Sequence, residues 1–146
     1  MELSESLQDY LETVYLLSRG AGFARSRDIS RSLGVSMPSV NAAVKNLAAR
    51  GLLTYEHYGY IRLTAAGEKA GARIAAHHSF LKDFFMTVLG LPEADAERDA
   101  CKAEHALGPA ALLKLRALSG FLKDKTRSRL LRDIKSALED KTRHKD

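Results

Sequence analysis

A single cysteine, Cys101, among 146 residues excludes an internal disulfide framework. Its thiol is therefore either a small buried hydrophobe or a group with chemistry of its own. Long apolar runs are also missing. No stretch approaches the roughly 20 residues needed to cross a bilayer, and the start, Met1-Glu-Leu-Ser-Glu5, has neither the basic opening nor the apolar run of a secretory signal. The expectation is a cytoplasmic protein with no membrane partner. Internal repeats, low-complexity linkers and nucleotide or cofactor motifs are absent too, which removes the common signatures of repeat proteins and cofactor-dependent enzymes.

With 45% hydrophobic and 28% charged residues, the chain can bury a core of one domain or two small ones. The net charge of +5 is modest, and its placement says more than its size. Residues 1–19 hold one arginine against four acids, and residues 20–66 hold six Lys/Arg against two acids. Residues 67–109 hold five bases against seven acids, and residues 110–146 hold eleven against five. The last block reads most simply as a solvated helix face; the earlier one coincides with a candidate nucleic-acid-reading unit.

That unit can be read from its punctuation. Leu7, Tyr10, Leu11, Val14 and Leu17 recur at three and four, with Ser4 or Ser6 as cap, and predict an amphipathic helix ended by Gly20 and Gly22. Ser26 is expected to cap a short helix that Gly34 stops. Ser36, with Pro38 in the first turn, opens another that runs through Val40, Val44 and Leu47 to Gly51. Two helices joined by a tight glycine turn make a helix-turn-helix. The β-rich runs from Leu52 and from Tyr60, around Tyr58-Gly59, then predict a hairpin, and a lone hairpin must pack on the helices to be stable. Thr64 is expected to cap a long helix to about Leu89, with further helices over about 93–107, 110–118 and 122–139. The fold class is thus mainly α, a winged helix-turn-helix (residues 1–70) followed by a helical region (residues 71–146).

A recognition helix enters the major groove of double-stranded DNA by its amino-terminal residues, where short polar and small apolar side chains reach base edges. Ser36, Met37, Pro38, Ser39, Asn41 and Ala42 fit that description, with Asn41 suited to bidentate pairing with adenine. Arg25, Arg27, Lys45, Arg50 and Arg62 are the phosphate candidates, and Tyr58 at the wing tip a further backbone contact.

In the later region, Cys101, Glu104 and His105 sit at i, i+3 and i+4, which stacks a thiolate, a carboxylate and an imidazole on one helix face. These are three ligand types for first-row metals. His78, and Asp9 with Glu12 at i and i+3, are further candidates. Each is unremarkable alone, since a lone histidine or a pair of acids is usually a solvated or satisfied group.

Together these positions resemble the diphtheria toxin repressor family, in particular its short manganese-transport-regulator branch. The likeness is carried by Gln8-Asp-Tyr-Leu-Glu-Thr-Val-Tyr15, Asp28-Ile-Ser-Arg-Ser-Leu-Gly-Val-Ser36, Arg50-Gly-Leu-Leu-Thr-Tyr-Glu56, Leu63-Thr-Ala-Ala-Gly67 and Glu104-His105, over nearly the whole chain. The resemblance implies a homodimeric repressor of manganese or iron homeostasis, in which Mn(2+) or Fe(2+) ties the DNA-binding region to the dimerisation helices and permits binding to a palindromic operator. It implies Asp9, Glu12, His78, Cys101, Glu104 and His105 as metal ligands, with His78 preferred over His77 by register. Asp at position 9 is similar to the manganese branch and Cys at position 101 to the iron branch, so the metal stays open between the two. Lys82 and Glu97 stand where the iron branch has a Glu and a His of its ancillary site, so a full ancillary site is not expected. The extra carboxy-terminal domain of longer members is not expected here, and Leu112, Leu113, Leu115, Leu118 and Phe121 are expected as interface or core. Two other readings compete: a winged-helix regulator sensing an organic ligand or an oxidant through Cys101, and a small metalloenzyme, for which a general base in a cleft is missing.

Overall fold

The computed structural model describes residues 3–55 and 59–143, without the side chains of residues 141–143. Its chain forms two compact units, Met1–Ala76 and His77–Asp146. Helix α1 (Glu5–Ala21) opens the first, with the Ser4 hydroxyl accepting from Leu7 N–H. It does not stop at Gly20, as its glycines suggest. Gly20 is the last turn of the helix, and the αL residue that ends it is Gly22, whose N–H donates to the Ser18 carbonyl.

A two-residue strand β1 (Ala24–Arg25), not foreseen in the sequence, leads into α2 (Ser26–Leu33). Ser26 is therefore the first helical residue and not the cap. Arg25 holds the cap position with extended backbone because it still pairs with Tyr60 in the sheet. Gly34, at φ 65°, turns the chain, and the Ser30 hydroxyl donates to the Val35 carbonyl across that turn (2.6 Å). Helix α3 (Met37–Ala49) follows, capped by Ser36 with Pro38 in its first turn. The antiparallel wing strands β2 (Leu53–Tyr55) and β3 (Tyr60–Leu63) complete a sheet of order β1-β3-β2.

These elements share one core. Leu11 and Val14 of α1, Ile29 of α2, Val40 and Leu47 of α3 and Ile61 of β3 are fully buried. Each contributes roughly 1.5–3 kcal/mol by leaving water, which fixes the reading helix and the sheet on α1. The wing is closed at its base by Thr64: its N–H donates to the Leu52 carbonyl (3.1 Å) and its hydroxyl to the Gly51 carbonyl (2.7 Å). The same hydroxyl accepts from Gly67 N–H (3.0 Å) and so caps α4 (Ala65–Thr87). Gly67 is required there, because a Cβ at that position would lie 1.9 Å from the Leu52 carbonyl oxygen.

The second unit contains the end of α4, α5 (Glu93–Ala106), α6 (Pro109–Lys123), a 3-10 turn (Lys125–Arg127) and α7 (Ser128–Arg143). The expected break near residue 119 is absent: α6 runs through Gly120, with Leu112, Ser119 and Leu122 buried along it. A helical glycine costs about 1 kcal/mol, which the packing of those neighbours exceeds. The stop comes at Asp124, whose carboxylate accepts from Thr126 N–H (2.9 Å). One core cluster is built on Leu81, Ala100 and Leu112, another on Phe84, Val88 and Leu122. Of the residues expected as interface or core, Leu112 is buried and Leu115 half-buried, whereas Leu113, Leu118 and Phe121 are exposed. No helix among the described residues is long and apolar enough to cross a membrane.

Candidate metal centre and nucleic-acid interface

Helix α3 is divided lengthwise. Val40, Ala43, Val44 and Leu47 face the core, while Met37, Pro38, Ser39, Asn41, Ala42, Lys45 and Asn46 are exposed. Every residue expected to read DNA from this helix therefore lies on its free face. Ser36 and Ser39 are bound to each other, Oγ to Oγ at 2.8 Å, and the Ser36 Oγ also accepts from Ser39 N–H (3.3 Å). Arg50 is exposed and its Nε donates to Asn46 Oδ1 (2.7 Å).

Arg25, Ser26, Arg27, Met37, Asn41, Tyr55 and Tyr60 line a groove of about 450 Å3 that joins the reading helix to the root of the wing. Arg27 is exposed beside Asp28. Arg25 donates to the Tyr60 hydroxyl (3.3 Å) and its guanidinium lies 5.2 Å from the Tyr60 ring centre and 5.8 Å from that of Phe23. Arg62 lies 5.7 Å from the Phe23 ring centre and donates to the Gly22 carbonyl (3.0 Å), so it also ties β3 to the turn after α1. Tyr58 lies outside the described residues. Sequence reasoning missed Tyr55, Asn46 and Phe23. The signal for Tyr55 and Asn46 was their period on β2 and α3, whereas Phe23 precedes a strand too short to register as one.

In the second unit, α5 packs through small residues: Ala96 and Ala100 have no exposed surface. Glu104 is the next position of that stripe, and its side chain is only 1% exposed. Its Oε2 lies 2.9 Å from His78 Nδ1 on α4. Its Oε1 lies 3.3 Å from His105 Nε2 and accepts no hydrogen bond. Cys101, one turn earlier on α5, is exposed. Asp9 and Glu12 are half-buried, one turn apart on α1 of the first unit.

A second set of contacts flanks His78. Its Nε2 lies 3.0 Å from Glu97 Oε1, and Lys82, one turn further along α4, places Nζ 2.8 Å from Glu97 Oε2 and 2.9 Å from Glu93 Oε1. Lys82 thereby bridges both carboxylates with the chain's own cation. Its pKa is raised by the hydrogen bonds it donates to Glu97 and Glu93, and the Glu97 carboxyl is held below its ordinary value, first by Lys82 and then by His78.

The donors gathered around Glu104 suit a divalent transition ion. A buried carboxylate oxygen left without a donor costs about 1–3 kcal/mol, and a cation satisfies it. Imidazole nitrogen with carboxylate oxygen is a ligand combination that first-row divalent metals accept.

Comparison with known proteins agrees with this division of labour. Residues 2–61 match the family model described as iron dependent repressor, N-terminal DNA binding domain, and residues 64–129 match the one described as iron dependent repressor, metal binding and dimerisation domain. The solved structure of IdeR from T. acidophilum is 25% identical, with a TM-score of 0.69 over 82% of this chain and 55% of that one. A manganese-dependent transcriptional repressor in complex with manganese is 24% identical, with a TM-score of 0.72 over 79% of this chain and 53% of its own. A hypothetical protein from Sulfolobus solfataricus shares the fold at 19% identity, with a TM-score of 0.61 over 81% of this chain and 90% of its own. The chain spans about half the length of the first two.

Proposed function

Because this chain belongs to the iron-dependent repressor family, we propose that it is a cytoplasmic transcriptional repressor, with no catalytic activity, that binds a palindromic operator as a homodimer when it holds a divalent metal. Residues 1–70 read DNA and residues 71–146 bind metal and dimerise. The observation that carries this reading is Glu104, a buried carboxylate with one oxygen facing His78 and the other without a hydrogen bond beside His105. The proposed ligands are Asp9, Glu12, His78, Cys101, Glu104 and His105. The bound ion, Mn(II) or Fe(II), supplies positive charge to these carboxylates. Hard oxygen ligands suit either ion, and thiolate ligation by Cys101 shifts the preference towards iron.

On the DNA side, the free face of α3 supplies Met37, Pro38, Ser39, Asn41 and Ala42 to base edges, with Lys45, Arg50, Arg25 and Arg27 on phosphates. Ser36 serves as the helix cap, and Tyr58 and Arg62 belong to the wing's backbone contacts. Exposed Leu113, Leu118 and Phe121 are the proposed dimer surface, which supports a symmetric pair of reading heads. Metal that favours the DNA-competent state must bind more tightly when DNA is present, with a coupling of about 1–3 kcal/mol.

Selection from random oligonucleotides, with and without Mn(II) or Fe(II), tests the proposal. Wild type is expected to enrich a palindrome only with metal, and Glu104→Ala, checked for folding by circular dichroism, is expected to enrich none. Enrichment without metal would instead fit a regulator that senses an organic ligand or an oxidant. Metal-dependent enrichment by Glu104→Ala would sink the site assignment.

A further inference from the structure

We propose that Glu97, anchored by Lys82, is a positioning residue that dictates which nitrogen of His78 faces the metal. The inference rests on the reading of His78 and Glu104 as ligands and adds what their surroundings require. An imidazole that binds a metal offers one nitrogen lone pair and carries its proton on the other, and the hydrogen bond at the second nitrogen selects between the two. The two nitrogens of His78 face different carboxylates: Nδ1 lies 2.9 Å from Oε2 of the buried Glu104, and Nε2 lies 3.0 Å from Oε1 of Glu97. With Nε2–H donating to Glu97, Nδ1 is the nitrogen left to the metal.

Glu97 needs restraint to do this. Its side chain is 53% exposed, and a free surface carboxylate exchanges its partners with water. Lys82 supplies the restraint from the same helix as His78, four residues further along. It takes Oε2 of Glu97 at 2.8 Å and leaves Oε1 for the imidazole. Glu93, 2.9 Å from Lys82 on its other side, holds the ammonium in turn. The order Glu93, Lys82, Glu97, His78, Glu104 is one line of alternating acids and bases between α4 and α5. Because Lys82 occupies Oε2 of Glu97 and His78 faces Oε1, that carboxylate acts through His78 and not as a further ligand.

The test uses the full chain as wild type, Glu97→Ala, Glu97→Gln, Lys82→Met, the double variant Glu97→Ala with Lys82→Met, and His78→Ala. Metal affinity is measured by competition for Co(II) against a chromogenic chelator. The proton position on His78 is read from long-range proton–nitrogen NMR of the Zn(II)-loaded protein. Wild type is expected to carry the His78 proton on Nε2. Glu97→Ala is expected to lose at least about 10-fold in affinity, and Glu97→Gln, which keeps an acceptor oxygen, to retain the Nε2–H form with a smaller loss. Lys82→Met should weaken binding alone and add nothing in the Glu97→Ala background, since it acts through Glu97. Unchanged affinity in Glu97→Ala, tighter binding in Lys82→Met, or a proton on Nδ1 in wild type would each overturn the proposal. If His78→Ala binds as tightly as wild type, the ligand reading itself fails, which is a separate result.

Discussion

Replacing Gly67 by alanine should destabilise the DNA-reading unit far more than an ordinary helix substitution. An added Cβ would sit 1.9 Å from the Leu52 carbonyl oxygen and 2.8 Å from its carbon, both rigid backbone atoms. An ordinary carbon–oxygen contact begins near about 3.3 Å, so the start of α4 and the residue before β2 must part by roughly 1.4 Å. The Thr64 N–H to Leu52 bond, now 3.1 Å, cannot survive that movement, and the Thr64 hydroxyl bond to Gly51 is strained with it. Overpacking costs about 1–3 kcal/mol and two hydrogen bonds about 0.5–1.5 kcal/mol each, a total of about 2–6 kcal/mol. For a chain of this size that lowers the thermal midpoint by at least about 4 °C. Gly20→Ala is the internal control: that glycine is also helical, but beyond its own helix backbone and chain neighbours nothing lies within 4 Å of its would-be Cβ. It should be neutral or stabilising by about 0.4–1 kcal/mol. Urea denaturation followed by far-ultraviolet circular dichroism, with a chelator present so that metal linkage does not mask the effect, compares the two. A Gly67→Ala protein within about 0.5 kcal/mol of wild type would refute the reasoning.

Other consequences are open to direct measurement. Lys45→Ala or Arg50→Ala should weaken binding to all DNA sequences alike and flatten the logarithmic salt dependence by about 1 per residue; an effect confined to one sequence would remove them from the phosphate contacts. Asn41→Ala should alter which sequences a binding selection recovers, and an unchanged consensus would exclude it from base readout. A Co(II) titration should develop a sulfur-to-metal charge-transfer band that Cys101→Ala abolishes, whereas metal uptake by wild type without such a band would leave Cys101 outside the centre. The Asp124 carboxyl is held below its usual range, chiefly by the Thr126 hydroxyl and then the Thr126 N–H. Its stabilising effect is then fully present above the unfolded carboxylate value of about 3.9 and is lost as pH falls through the lower folded value. The stability advantage of wild type over Asp124→Ala, measured by denaturation at a series of pH values, should be constant near neutrality and vanish in acid; an advantage that persists in strong acid would contradict this.

The readable parts of the sequence were those where local chemistry and tertiary packing agree. Ser36, Pro38 and Gly51 bracket α3 because cap, first turn and stop are all written in short-range terms, and its exposed face follows from the period of Val40, Val44 and Leu47. Gly20 and Gly120 misled because a glycine permits a helix end without compelling one: α1 runs one residue past Gly20 to the αL turn at Gly22, and the buried Ser119 and Leu122 flank Gly120 within α6. Strand β1 is two residues long and exists only because β3 pairs with it, a long-range cause with no local trace. The spacing of Cys101, Glu104 and His105 placed them near one another, yet it could not separate the buried Glu104 from the exposed Cys101. The alanine stripe Ala96, Ala100 pointed to that difference, since its next register position is Glu104. Lys82 was legible only as a departure from a family pattern, and its role emerged from the two acids that α5 brings to it.

The cation–π placement of Arg25 and Arg62 beside Phe23 bears on how costly it is to form a complex. A guanidinium already placed 5.2 Å and 5.8 Å from two aromatic ring centres and hydrogen-bonded to the Tyr60 hydroxyl has less rotamer freedom to surrender in the proposed phosphate contact, so more of the electrostatic attraction survives as affinity. Lysine at position 25 would keep the charge and lose this preorganisation, because an ammonium on a flexible stem has no plane to stack and only a point charge to offer. In the proposed complex the β-ribbon side of the interface is thereby set before the nucleic acid is met, and Arg25→Lys, though it conserves the charge, removes that preorganisation.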